Sequence, residues 1–161
     1  MDDIFLNRAS ETNSIDAETA PFFLSPISLA GVMMAIIGSY IRWRCFQTLG
    51  NFFTIEVSIQ KDHQLVTKGP YGVVRHPSYS GGLLVVIGAL LWYLSPGSLL
   101  RESVAPVNKA LGVAVMIPLI SPMFVIPHRL GREDSELRKR FGIEWDRWAQ
   151  EVPYRLIPGI Y

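Results

Sequence analysis

Three long stretches without a charged residue dominate the hydropathy pattern of this chain. They are Pro21–Ile41, Ser78–Leu100 (densest over Leu83–Tyr93) and Ala110–Pro127, the last interrupted by Pro118 and Pro122. Each approaches the roughly 20 apolar residues that a helix needs to cross a bilayer. Core helices of soluble bundles rarely lack charge on every face over such a length. The pattern therefore predicts three membrane spans. Residues 42–50 carry the first helix out of the membrane, and Gly50 is its natural stop. Pro77 suits the first turn of the second, with Ser78 or His76 as cap, because its missing N–H costs nothing there. Gly81, Gly82 and Gly88 give that helix a side made for close packing.

Between the first two spans, Phe53–Ile59 alternates with a strand-like period and Gln64–Thr67 is a second extended piece. A short surface hairpin is one arrangement these allow. Lys68–Gly72 is a turn. After the third span, Arg132–Glu151 becomes amphipathic, with Leu137, Phe141, Trp145 and Trp148 on one helical face. Glu133, Asp134 and Glu136 come early in it and Arg138, Lys139 and Arg140 later, which suits the helix dipole. Gly142 weakens this helix, and Val152–Tyr161, with Pro153 and Pro158, should be irregular. The expected fold is an all-α integral membrane protein, with about three transmembrane helices plus a cytosolic amphipathic C-terminal helix. Residues 1–20 hold five acids and one base, and read as a polar mobile tail before a single domain over 21–161.

Composition agrees: 49% of the residues are apolar, and the net charge of +1 gives no support for nucleic-acid binding. The single cysteine, Cys45, excludes an intramolecular disulfide framework and a multi-cysteine zinc site, and reads as structural. The first span is no convincing signal peptide, since an acidic segment precedes it. Basic residues concentrate at 42–77 and 128–161, which places both segments in the cytosol by the positive-inside tendency. Trp43, Trp92, Tyr93, Trp145 and Trp148 fall near the expected interfaces, as an aromatic belt would.

His63, His76 and His128 are too scattered to suggest a metal site. Nucleotide-binding glycine loops and the GxSxG elbow are absent. What remains is a pair of polar clusters beside hydrophobic spans. One is Tyr71, Arg75, His76 and Tyr79, inside the turn-rich stretch Gly69–Gly82. The other is His128, Arg129, Glu133 and Asp134, followed by Arg155. If the second and third spans form an antiparallel hairpin, the clusters meet at the membrane surface. A polar, backbone-constrained segment at such a place is costly unless it binds something.

Residues 65–82, LVTKGPYGVVRHPSYSGG, resemble a signature of the isoprenylcysteine carboxyl methyltransferase family. The segment from His128 to the end, with Arg129, the acidic pair Glu133–Asp134, Leu137, Phe141–Gly142 and Arg155-x-Ile157-Pro158, resembles that family's second signature. The resemblance covers roughly residues 40–161. It implies an endoplasmic reticulum membrane enzyme, facing the cytosol, that transfers a methyl group from S-adenosyl-L-methionine to the C-terminal carboxylate of prenylated, CaaX-processed proteins. By motif, Gly69, Tyr71, Val74, His76, Tyr79 and Glu133 would line the cofactor site, the first three through backbone, and Arg129 and Arg155 would be catalytic, near the reacting carboxylate. No metal is implied. Asp134 stands where a second glutamate is usual, Trp145 where tyrosine is common, and one span precedes the motif where relatives have more. Two other readings stay open. One is an NADPH-dependent membrane reductase of the sterol-reductase type, which shares a Gly-Pro-Tyr…Arg-His-Pro-x-Tyr pattern. The other is a non-catalytic truncated homologue that keeps the fold.

Overall fold

The structure, a computed structural model, describes residues 24–50, 64–98, 101 and 106–161. The expected tail over 1–20 and the strand-like Phe53–Ile59 lie outside the described residues. Helix α1 spans Pro26–Leu49, α2 Pro77–Leu94, α3 Pro106–Phe141 and α4 Ile143–Glu151, with a 3-10 turn at Gly69–Gly72. Among the described residues there is no strand, and Gln64–Thr67 is irregular. Three of the helices are long and apolar enough to cross a membrane. The chain is thus an all-helical, multi-pass membrane protein with a further C-terminal helix.

Helix α1 begins where Ser25 Oγ accepts the backbone N–H of Ser28 at 3.1 Å and Pro26 fills the first turn. It ends at Gly50, whose φ of +52° few other residues adopt without strain. Helices α1 and α2 form the tight antiparallel pair of the molecule. A Cβ added to Gly31 would come within 2.6 Å of the Gly88 carbonyl oxygen, and one on Gly38 within 2.5 Å of that of Gly81. Two glycines on each helix, seven residues apart, thus let the backbones touch.

Helix α2 stops at Leu94, short of the expected Leu100, because Pro96 follows its end and Gly97 turns the chain at a φ of +80°. Helix α3 is longer than expected. Its 36 residues run through Pro118, Pro122 and Pro127 and continue into the charged segment up to Phe141. Each proline deprives the carbonyl four residues earlier of its donor. One of those carbonyls, Pro118 O, accepts Ser121 Oγ at 3.3 Å instead, the kind of replacement that makes prolines tolerable in membrane helices. At about 1.5 Å per residue, α3 is far longer than a bilayer is thick, so its charged end must project from the membrane.

The amphipathic segment expected as one helix is split at Gly142, with a φ of +54°. Its first half completes α3 and its second is α4. The split lets α4 fold back, and Arg138 Nε meets Asp146 Oδ1 across the corner at 2.8 Å. Trp145 and Trp148 do not form an interfacial belt. They are buried with Cys45, Tyr71 and Val152 in a small core, against which Leu137 and Phe141 pack. This core fastens the end of α1, the 3-10 turn and α4 together, and so fixes the loop that leads into α2.

Candidate functional site

The loop before α2 is held from below and from the side. Tyr71 is buried in the core, and its carbonyl accepts Trp148 Nε1–H at 3.1 Å. Burial holds the Tyr71 hydroxyl protonated well above the ordinary tyrosine range. Val74 is likewise buried, and Gly69 takes a φ of +63° against Thr48. Side chains of Tyr71 and Val74 therefore face protein, and anything these positions offer a ligand comes from backbone. From the side, the C-terminal segment pairs with the loop: Arg75 N–H donates to Tyr154 O and His76 N–H to Arg155 O, each at 2.9 Å. Ser80 Oγ adds a bond to Leu156 O at 2.6 Å.

His76 is the residue before the first turn of α2, yet its side chain does not cap the helix. It points across to α3 instead. Its Nε2 lies 2.9 Å from Asp134 Oδ1, and its Nδ1 lies 3.5 Å from Glu133 Oε2. The ring is 6% exposed. Burial alone would disfavour the charged imidazolium, but the bonds and charges of the two carboxylates outweigh it and hold the pKa above the usual histidine value. Tyr79, one turn on, donates its hydroxyl to Glu133 Oε1. The two clusters read from the sequence thus meet, with the acidic pair of α3 straddling His76.

Asp134 gathers the remaining cations. Its Oδ2 lies 3.2 Å from Arg155 Nε and 3.8 Å from Arg75. Neither contact is an aligned hydrogen bond, so this buried oxygen is held by charge. The Arg75 guanidinium also lies 5.5 Å from the centre of the Trp145 ring, a cation–π distance. Arg155 turns outward as well, donating to Tyr161 Oη at 3.0 Å.

Beside this knot opens a cavity of about 890 Å³ between α1, α2 and α3. Its walls are mostly apolar (Val85, Val86, Leu119, Met123, Ile126), while Arg42, Arg129 and Tyr79 form one polar end. Arg42 donates through Nη1 to Ser78 O at 3.1 Å and lies over the Phe46 ring. An apolar cavity with two arginines at one end suits an amphipathic anion, the apolar part in the cleft and the anionic group at the guanidiniums.

His76, Tyr79 and Glu133 therefore come together, and Arg129 adjoins them through the cavity it shares with Tyr79. Arg155 lies behind Asp134 and does not line the cavity. His128 is exposed. Arg42 was missed as a site residue because it reads simply as the positive flank of a membrane span. A signal was present: it stands one turn beyond Gly38, on the helix that glycine brings against α2. Among the described residues, no group of three or more His, Cys, Asp or Glu side chains could hold a metal ion.

The isoprenylcysteine carboxyl methyltransferase family matches residues 31–139. A probable protein-S-isoprenylcysteine O-methyltransferase of Oryza sativa subsp. indica is 32% identical over 128 residues, 78% of this chain and 59% of that protein. Protein-S-isoprenylcysteine O-methyltransferase B of Arabidopsis thaliana is 32% identical over 129 residues, 79% of this chain and 57% of its own length. A Delta(14)-sterol reductase of Mus musculus is 29% identical over 101 residues, but these are 20% of that protein. The chain thus spans under three-fifths of the length of the methyltransferase relatives. No solved structure matches it.

Proposed function

Since the chain belongs to the isoprenylcysteine carboxyl methyltransferase family, we propose that it methylates the C-terminal carboxylate of prenylated cysteine, with S-adenosyl-L-methionine as donor. The observation that carries this reading is the pairing of a carboxylate-rich knot with an arginine-ended apolar cavity, both touching Tyr79. One side suits a cationic donor and the other a lipid-borne anion.

The donor set fits a sulfonium cofactor. Glu133 is partly open to solvent and lies against the Tyr79 hydroxyl, so a carboxylate and an aromatic ring flank one spot. His76, Tyr79, Glu133 and the backbone of Gly69–Val74 would hold the cofactor, which supplies an electrophilic methyl group on positively charged sulfur. The acceptor carboxylate is ionised at neutral pH and needs no general base. With the donor held there, the methyl group would pass to a carboxylate oxygen and the donor would leave as a neutral thioether, giving a methyl ester. The protein's task is alignment and exclusion of water. Arg42 and Arg129 hold the carboxylate while leaving one oxygen free to react. Arg155 acts at one remove, by holding Asp134 and with it His76.

The test is methyl transfer to farnesylcysteine from labelled S-adenosyl-L-methionine, with the protein in liposomes. Label appearing in a base-labile ester supports the proposal, and no transfer refutes it. The match to a sterol reductase favours a second reading, a nicotinamide-dependent reductase. Titration with NADPH separates the two: binding of NADPH without S-adenosyl-L-methionine would select the reductase.

A further inference from the structure

A second cavity continues the first along the membrane. It measures about 460 Å³ and lies between α1 and α2 alone, lined by Val32, Ala35, Gly88, Ala89, Trp92 and their neighbours. Ser39 lines both cavities. On α1 the lining positions Val32, Ala35, Ser39, Arg42 and Phe46 recur every three or four residues, so they form one helix face. On α2, Tyr79, Gly82, Val86, Ala89 and Tyr93 do the same. Gly31 lies against Gly88 and Gly38 against Gly81, so the stripes run side by side. The two cavities are therefore two lengths of one trough, and Ser39 is the waist between them.

Charge and cover both change along this trough. Its charged lining residues, Arg42 and Arg129, are in the larger cavity, while the smaller has none. Helix α3 walls the larger cavity but contributes no residue to the smaller, which lies open on the lipid side. From Arg42 to Val32 the helix descends about 15 Å, into the depth of the hydrocarbon. A molecule with its anionic group at the arginines and a hydrocarbon chain running into the bilayer matches that gradient.

We propose that the isoprenoid tail of the substrate lies in this trough, running from the arginines past Ser39 toward Trp92, and that the small side chain of Ser39 keeps the waist open to long tails. This rests on the substrate class proposed above. The selection is steric. Lipid chains are as apolar as the groove, so a tail gains little by exchanging one for the other. What the trough supplies is an unobstructed path that lets the tail reach the bilayer while its carboxylate stays at the arginines. Ser39 is small and exposed, so a larger side chain there narrows the path without disturbing the helix seam.

The experiment compares Ser39→Phe with the full chain in liposomes, using cysteines that carry geranyl, farnesyl or geranylgeranyl. Ile37→Phe is the control, since Ile37 is half exposed and lines neither cavity. In Ser39→Phe, kcat/KM for geranylgeranylcysteine relative to geranylcysteine should fall about tenfold, the scale on which an apolar pocket discriminates size. Farnesylcysteine should fall between, and Ile37→Phe should leave the ratio unchanged. Ser39→Val should move it the same way by less, which guards against a misfolded phenylalanine variant. An unchanged ratio, or equal loss for all three tails, overturns the assignment. Failure of the unsubstituted chain to methylate any prenylcysteine would instead overturn the substrate reading. Photolabelling then decides the trough independently of turnover: a diazirine-bearing farnesyl probe should label Ala35 or Ala89, and labelling confined to α3 would overturn it.

Discussion

Asp134 is the most heavily used buried charge in the described structure, and its removal gives the sharpest test of how the site is held. The residue is 5% exposed and faces the His76 ring at 2.9 Å and two guanidiniums, Arg155 at 3.2 Å and Arg75 at 3.8 Å. Asp134→Ala leaves the largely buried Arg75 without its carboxylate and His76 with Glu133 alone. Breaking a buried pair by removing one partner costs about 3–5 kcal/mol. Arg155→Ala is a different case. Its side chain is 37% exposed, so solvent already screens it, and loss of such a partner costs about 0–1 kcal/mol. Thermal unfolding of the detergent-solubilised protein measures both. For a chain of this size about 2–4 °C corresponds to 1 kcal/mol, so Asp134→Ala should lower Tm by on the order of 10 °C and Arg155→Ala by a few degrees at most. Asp134→Asn, which keeps an acceptor for His76 but not the charge, should fall between. Equal losses from Asp134→Ala and Arg155→Ala, or a negligible loss from the former, would refute the view that one buried carboxylate organises the cluster.

The remaining predictions address the pH response, the helix seam and the carboxylate grip. The folded-state pKa of His76 is raised above its unfolded value, so the stabilisation by Asp134 and Glu133 is fully present below the ordinary histidine pKa and is lost as pH rises through the folded value; Tm should fall over that window, and His76→Asn should flatten the profile. Gly31→Ala drives a methyl group into the Gly88 carbonyl and should cost about 1–3 kcal/mol, read as lowered Tm. Gly131→Ala meets nothing within 4 Å on an α3 helix and should instead stabilise by about 0.5–1 kcal/mol. Arg42→Gln should raise KM for farnesylcysteine at least tenfold, on the order of a lost charge-assisted bond, while S-adenosyl-L-methionine affinity measured by calorimetry stays unchanged.

Much of this was legible in the order of residues, and the failures have physical causes. Charge-free runs mark the three spans because the bilayer penalises charge at every helix face. The glycines of α2 announced a close contact, but their partners Gly31 and Gly38 show only once α1 is seen to be antiparallel to α2. Helix ends went wrong where two signals compete. Apolar residues continue past Ser95, yet Pro96 and Gly97 end α2. The charge-free run ends at Pro127, yet α3 runs through its prolines, with Ser121 replacing the donor that Pro122 takes from the Pro118 carbonyl, and carries on into the charged segment. The tryptophans of α4 resemble interface anchors in sequence, and only the turn at Gly142 folds them inward. The meeting of His76 with Glu133 and Asp134 was expected from the hairpin argument. Arg42 could have been placed beside α2 from its position one turn beyond Gly38, but that Arg155 would stand behind Asp134 could not be seen, because it depends on which way a side chain leaves an irregular tail.

The two acidic neighbours of His76 divide their work by burial. Asp134, enclosed and ringed by cations, ties the loop, α3 and the C-terminal segment into one unit. Glu133 is more open, at 22% side-chain exposure, and faces Tyr79 on the cavity side. A carboxylate already held by two guanidiniums and a buried histidine cannot give much to a ligand without loosening the fold, whereas one that shares that histidine and a tyrosine hydroxyl can exchange partners at small cost. The adjacent pair thus separates holding from binding by one residue step, since successive side chains on a helix point about 100° apart. The same division appears between the arginines: Arg75 and Arg155 serve the buried carboxylate, while Arg42 and Arg129 face the space where a lipid anion would arrive.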